Sequence, residues 1–206
     1  YRESDTLGGK DPYSASKASA ELAIQSHISS YFPIKKSKVF VGVARAGNVI
    51  GGGDWSNDRI IPDSIRALSN DEDIIIRNPT ATRPWQHVLE PLSGYLTLAN
   101  ELHHRNILHG EAFNFGPPGH QNHSVLELVQ SMSRYWDKVC WEEISDSDKL
   151  PYESGLLKLN CDKALHYLHW ESVLSFNETL RMTTEWYRSF YENPSKIRNV
   201  TNSHIK

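Results

Sequence analysis

A helical segment followed at once by a buried strand, between residues 11 and 44, most limits what this chain can fold into. Asp11-Pro12 is a helix entrance, because aspartate caps free amides and proline is tolerated in the first turn. From Tyr13 to about Tyr31 the pattern is helical, with Ala18, Leu22 and His27 spaced by turns and Ala20, Ala23 and Ile24 alongside. Pro33 ends it. Residues 39–44 are a short run of β-branched and aromatic type, which reads as a buried strand. Helix and then buried strand is one step of an α/β layer over a parallel sheet.

The rest continues in that style. Helices are expected over residues 61–68, opened by Pro62, and over about 91–104, 124–136, 161–168 and 176–191. Ser124 and Glu127 have capping-box spacing. Strands are expected over 73–77, 112–116 and 156–159, with 83–88 extended. Residues 1–12 read as a loop, and the last dozen, with Pro194, Asn199 and Asn202, as a frayed tail.

Two hundred and six residues suffice for one domain or one and a half. The net charge is -3 with no basic run, which argues against nucleic acid as the main partner. Local arginines can still serve an anionic ligand. No stretch approaches the roughly 18 apolar residues of a membrane span, and no charged-then-apolar leader opens the chain. Cys140 and Cys161 lie outside any C-x-x-C and read as reduced, buried thiols of a cytosolic protein.

Chemistry enters at Tyr13-Ser14-Ala15-Ser16-Lys17. A tyrosine and a lysine four apart share one helix face. The cation favours phenolate, so the pair can move a proton on and off a hydroxyl. Gly51-Gly52-Gly53 fits neither G-x-G-x-x-G nor a P-loop, and Gly8-Gly9-Lys10 fails because Asp11 follows. The bland reading of such turns is structural; the functional one lets backbone approach a ligand, with Asn48 supplying an amide. Arg45, Arg59, Arg77 and Arg83 sit at strand ends or in loops, where a planar fork can take a diphosphate, although each alone reads as solvated. The histidines show no H-E-x-x-H and no zinc spacing, so no metal is expected. His103, His104 and His109 read as exposed, His120 and His123 as turn residues, and Trp136, Trp141, Trp170 and Trp186 as core. No G-x-S-x-G elbow is present.

In order, the Tyr13–Lys17 segment, Arg45-Ala46-Gly47-Asn48-Val49-Ile50-Gly51, Arg83-Pro84-Trp85-Gln86-His87-Val88 and Phe113-Asn114-Phe115-Gly116 resemble the extended short-chain dehydrogenase/reductase family. Residues 162–170 and 183–187 resemble that family's C-terminal helices, so the likeness covers roughly residues 1–191. Residues 1–13, 45–55, 75–79 and 83–94 are similar to the branch that dehydrates CDP-glucose in bacterial dideoxysugar synthesis.

The resemblance implies an α/β fold. It would be a Rossmann-like parallel sheet, C-terminal half only, with a smaller α/β substrate-binding domain. It assigns residues 1–55 to the NAD-binding part and 56–191 mainly to nucleotide-sugar binding. A return segment near 84–105 would pack on the first part, and 192–206 would be tail. It implies NAD as cofactor and CDP-glucose as substrate. Tyr13 phenolate would take the C4 hydroxyl proton as hydride leaves C4; water would then leave across C5 and C6, and hydride would return to C6. Lys17 would hold the nicotinamide ribose, and Ala46 and Gly47 would pass near the nicotinamide. Asn48 would meet the substrate diphosphate, Arg59 and Arg83 the nucleotide and its phosphates, and Asn114 the same pocket; Arg77 and Glu153 are weaker assignments. A homo-oligomer, dimer or tetramer, would form through a bundle using the Tyr13 helix.

The family's Thr-Asp-Lys dehydration segment and glycine fingerprint are expected before Tyr1, so the chain reads as a C-terminal portion, inactive alone. Asn160 stands where the family has Asp, and residues 145–154 look shorter. Two alternatives stay open. One is a nucleotide-sugar 4-epimerase of the same superfamily. The other is a fragment that at most binds sugar nucleotide, its open sheet edge limiting stability.

Overall fold

The computed structural model describes residues 1–143 and 157–206. The chain runs through α1 (Pro12–Tyr31), β1 (Val43–Ala46), β2 (Val49–Ile50), α2 (Ile60–Ser69), β3 (Ile74–Ile76), β4 (Thr82–Arg83) and β5 (Gln86–His87). It continues through α3 (Leu89–His104), β6 (Ala112–Phe115), β7 (His123–Ser124), α4 (Val125–Met132) and β8 (Trp141–Glu143). Helices α5 (Asp162–Leu168), α6 (Phe176–Glu192) and α7 (Ile197–Ile205) close it.

Local chemistry starts the helices. The Asp11 carboxylate accepts from the amides of Tyr13 and Ser14 at 2.9 and 3.0 Å, with Pro12 in the first turn. Ser124 and Glu127 form the expected capping box on α4. Ser175 and Glu178 form a second on α6.

The strands pair as an α/β chain requires. β1 runs parallel to β6, with Val43 opposite Ala112 and Ala46 opposite Phe115. β2 is parallel to β5 and β3 to β8; β4 and β7 are antiparallel. The expected strand over 39–44 lies further along, at Val43–Ala46, because its partner β6 begins only at Ala112. Before that point the Val41 amide donates to His109 Nδ1 at 3.0 Å, and His109 Nε2 reaches the Phe32 carbonyl at 2.7 Å. His109 is thus a clasp between the end of α1 and the approach to β1, not an exposed histidine.

Two apolar cores result. One gathers α2, α4 and α6 around β3, with Ile65, Ile76, Val129 and Leu180 fully buried. The other joins α3, β6 and α5 through Leu98, Phe113, Phe115, Leu168 and Trp170. Helix α3 lies close on β6 because Gly94 has no side chain; a Cβ there would stand 2.3 Å from the Phe115 ring. Trp170 meets Phe115 edge-on at 4.9 Å and donates its indole N–H to Ser93 at 2.9 Å. Buried Glu90 at the start of α3 accepts the amides of Val173 and Leu174, tying α3 to the approach to α6.

Several expectations change. Residues 157–159 form no strand, and residue 156 lies outside the described residues. The N-terminal segment runs beside them instead, Tyr1 donating to the Lys158 carbonyl at 2.6 Å and the Asn160 amide to the Tyr1 carbonyl at 2.9 Å. β8 carries no strand signal of its own, because Trp141-Glu142-Glu143 lacks an apolar alternation; pairing with β3 makes it a strand. The supposed frayed tail is a 3₁₀ turn and α7, held on α6 by the Trp186 indole N–H donating to Thr201 at 2.8 Å. Neither cysteine is buried: Cys140 is exposed, and Cys161 is half-buried, its thiol pushed up to about 11, mainly by desolvation; both are free. Trp136 and Trp170 are buried, while Trp141 and Trp186 cover the first core from its edge. His123 lies in β7, stacked on Phe176 at 3.7 Å. Among the described residues no helix is long and apolar enough to cross a membrane, and no His, Cys, Asp or Glu group is arranged to hold a metal ion.

His87 of β5 is 3% exposed and faces His204 of α7 at 6.1 Å between ring centroids. Burial, and then repulsion from His204, holds its pKa near about 4 against an ordinary 6.5. In that interval the unfolded chain binds a proton that the folded chain refuses, so stability is whole above 6.5 and drains as pH falls toward 4. Denaturant unfolding between pH 7 and pH 4.5 is expected to show a loss of about 2 kcal/mol from this group. His87→Gln is expected to flatten that slope.

Candidate active site

The first turns of α1 present Tyr13 and Lys17 on the same side. Both are exposed, and the Lys17 Nζ stands 5.5 Å from the centre of the Tyr13 ring. One further turn along, Glu21 faces inward and is 8% exposed. Arg45 of β1 grips its carboxylate with a fork: Nε donates at 2.9 Å, and Nη2 forms an ion pair with Oε1. The remaining arm of Arg45 donates to the Glu3 carbonyl at 3.4 Å, and the Glu3 carboxylate accepts the Asn114 amide at 2.8 Å. Helix, strand and N-terminal segment are therefore bolted together behind the tyrosine.

Two clefts meet at Tyr13. One, of about 610 Å³, is lined by Tyr13, Asn48, Asp58, Arg59, Arg83 and Trp85, among others. The other, of about 600 Å³, is lined by Tyr13, Lys17, Ala44, Arg45 and Ala46 with the N-terminal segment. The β1–β2 turn divides them, Ala46 facing one and Asn48 the other. Gly47 between them packs inward, where a Cβ would come within 3.0 Å of Pro84 and 3.1 Å of Leu159. Gln86 supports that turn from below, its Nε2 donating to the carbonyls of Phe115 at 2.9 Å and Gly47 at 3.4 Å.

The first cleft carries charge of both signs, Arg59 and Arg83 beside Asp54 and Asp58. Arg83 is buried, with Nη1 donating to the Thr82 carbonyl at 2.8 Å, and Arg59 is exposed at the entrance to α2. Asp54 is held below the usual carboxylate range, first by the Ser56 hydroxyl and further by the charges of Arg59 and Arg66. Asp58, Ile60 and Val125 border both this cleft and a hollow of about 430 Å³ that holds Arg77.

The structure thus brings Tyr13, Asn48, Arg59 and Arg83 to one cleft and Tyr13, Lys17 and Ala46 to the other. It does not bring Asn114 there. That side chain is buried, its Nδ2 donating to the Tyr1 carbonyl at 3.2 Å and the Asn160 carbonyl at 3.1 Å, so it anchors the N-terminal segment. Arg45 is likewise no free phosphate ligand, because Glu21 occupies its fork. Glu153 lies outside the described residues. Sequence reasoning missed Glu21 and Trp85. The signal for Glu21 was its place one turn beyond Lys17 on an inward face. Trp85 is 6% exposed at the cleft, and its indole N–H has no hydrogen-bond partner among the described residues.

Tyr13 with Lys17 can exchange a proton with a hydroxyl placed over them, and a nearby arginine wall can hold a diphosphate. Glu21→Gln is expected to break the ion pair and cost about 2 kcal/mol in chemical denaturation, because it leaves the Arg45 charge half-buried without a counter-ion.

The NAD dependent epimerase/dehydratase family matches residues 1–116. The CDP-glucose 4,6-dehydratase of Salmonella typhimurium is 43% identical over 194 residues, covering 92% of this chain and 54% of that protein. The structure of dTDP-glucose 4,6-dehydratase from Bacillus anthracis in complex with NAD superposes with a TM-score of 0.71 at 20% identity, over 97% of this chain and 58% of that one. UDP-glucuronic acid 4-epimerase from Bacillus cereus in complex with NAD gives 0.74 at 16% identity, over 95% and 57%. The likeness to these structures establishes a Rossmann-type α/β fold, and the chain spans about half the length of the curated relatives it matches. On the match over its first 116 residues, the chain belongs to the NAD dependent epimerase/dehydratase family.

Proposed function

We propose that this chain is the C-terminal portion of an NAD-dependent CDP-glucose 4,6-dehydratase, which converts CDP-glucose to CDP-4-keto-6-deoxyglucose and water. The observation that carries the reading is that Tyr13 alone of the proposed site residues borders both clefts, one with a lysine and small side chains, the other with arginines. The 43% identity to a relative of that activity supports the choice of substrate.

The residues of the second cleft fit the nicotinamide end of a dinucleotide. Ala44 and Ala46 leave room for a flat ring, and Lys17 offers donors to a ribose. NAD, when bound, supplies the hydride acceptor and donor of a reaction with no net oxidation. Tyr13 as phenolate takes the proton of the C4 hydroxyl, and Lys17 stabilises that phenolate. Asn48, Arg59 and Arg83 hold the diphosphate and nucleotide, fixing the sugar over Tyr13. Arg77, in the adjoining hollow, is assigned to the far end of the nucleotide. The enzyme would act in the cytoplasm, as a homo-oligomer, in bacterial O-antigen dideoxysugar synthesis.

The test uses the full-length protein with CDP-glucose and dTDP-glucose separately, following the alkaline absorbance of a 4-keto-6-deoxy product. Product from CDP-glucose is expected, and Tyr13→Phe is expected to lower turnover by about 10²–10⁴. Inversion at C4 without water loss would assign an epimerase instead, and undiminished turnover by Tyr13→Phe would remove the tyrosine from its role.

A further inference from the structure

The loop of residues 51–58, between β2 and α2, brings Asp54, Asn57 and Asp58 to the wall of the arginine-lined cleft. Its course is set from outside that cleft, by α6. Tyr187 is fully buried, and its hydroxyl answers both backbone groups of one loop residue, donating to the Asp54 carbonyl at 2.7 Å and accepting the Asp54 amide at 3.0 Å. The adjacent Trp186 ring lies on Gly52, where a Cβ would stand 2.0 Å from Cδ2. Trp55 closes the contact, edge-on to Tyr187 at 5.3 Å and tilted against Phe190 at 5.2 Å. From the other side, Arg66 of α2 donates to the carbonyls of Trp55 and Ser56, each at 3.2 Å.

Gly53 and Asp58 have φ of 86° and 58°, in the left-handed region, where Asp58 carries a side chain that such backbone disfavours. Along residues 52–55 the loop's surroundings are those of α6, Trp186 lying against Gly52 and Gly53 and Tyr187 bonding Asp54. Tyr187 lines neither cleft, so its effect on a ligand must pass through Asp54. Desolvation pushes its hydroxyl up to about 12, so it stays a donor at any working pH.

We infer that Tyr187 is a positioning residue: through the Asp54 backbone it sets the loop that walls the nucleotide-sugar cleft, and so sets affinity for the nucleotide without touching it. The inference rests on the reading of that cleft as the sugar-nucleotide site. It is distinct from chemistry at Tyr13, which α1 and β1 hold independently.

The experiment compares full-length wild type, Tyr187→Phe and Gly52→Ala. Three quantities are read: amide hydrogen exchange, affinity for CDP by calorimetry, and KM against kcat for CDP-glucose. Tyr187→Phe is expected to speed exchange at Asp54 while α6 keeps its protection. CDP affinity is expected to fall and KM to rise by about fivefold, the scale of one hydrogen bond, with kcat held within about twofold. Gly52→Ala pushes the loop from the Trp186 side with Tyr187 intact, and is expected to weaken CDP in the same way should Tyr187→Phe fail to fold. A lower melting temperature with unchanged CDP affinity and unchanged KM would make Tyr187 merely structural and overturn the inference, as would unchanged exchange at Asp54. Wild type that binds CDP but does not dehydrate CDP-glucose would defeat the proposed reaction alone, leaving the inference to be judged on CDP affinities. Wild type that binds no CDP would overturn both.

Discussion

A forked ion pair between Arg45 and Glu21 decides where the end of α1 that carries Tyr13 and Lys17 stands. It joins a helix to a strand where water is largely excluded from Glu21. In such surroundings the attraction is stronger than at an open surface, and so is the cost of losing either partner. Because the pair fixes both the axial position and the rotation of α1, it also fixes the outward face that carries Tyr13 and Lys17. The exposed pair at the helix start has few supports of its own; its geometry is inherited from the buried pair behind it.

The opposite wall of the cleft is set by a different device. There the backbone is glycine-rich and partly strained, and its shape comes from aromatic side chains of α6 packed beneath it. The two walls thus depend on separate cores, one built on β6, α3 and α5, the other on α2, α4 and α6. Segments distant in sequence alternate between those cores, which is how residues 13, 48, 59 and 83 come to face one hollow. Short connecting pieces, such as Gln86 reaching from β5 to the Phe115 and Gly47 carbonyls, keep the cores in register with each other.

What could be read in advance follows from how local each feature is. The starts of α1 and α4 were legible because Asp11 and Ser124 act on amides two or three residues away. The bounds of β1 were not, since a strand's length is set by where its partner begins, and here that is Ala112. α7 and β8 were missed for the same reason: neither has a strong pattern alone, and each exists through contact with α6 or β3. Among site residues, the Tyr13–Lys17 spacing and the arginines at strand ends were visible as types and positions. That Arg45 would be occupied by Glu21, or that Asn114 would turn toward Tyr1, was not visible, because each depends on which neighbour reaches the side chain first.

The sequence by itself determined the alternation of helix and buried strand, the helix entrances, and the pair of residues able to exchange a proton, because these rest on spacing and on side-chain chemistry within a few residues. Tertiary structure alone decided which arginine lines a cleft and which faces a carboxylate, where each strand stops, and how the glycine loop is held. Those outcomes turn on contacts between groups tens to more than a hundred residues apart, such as Tyr187 and Asp54, and short-range spacing carries no information about which distant group will arrive there.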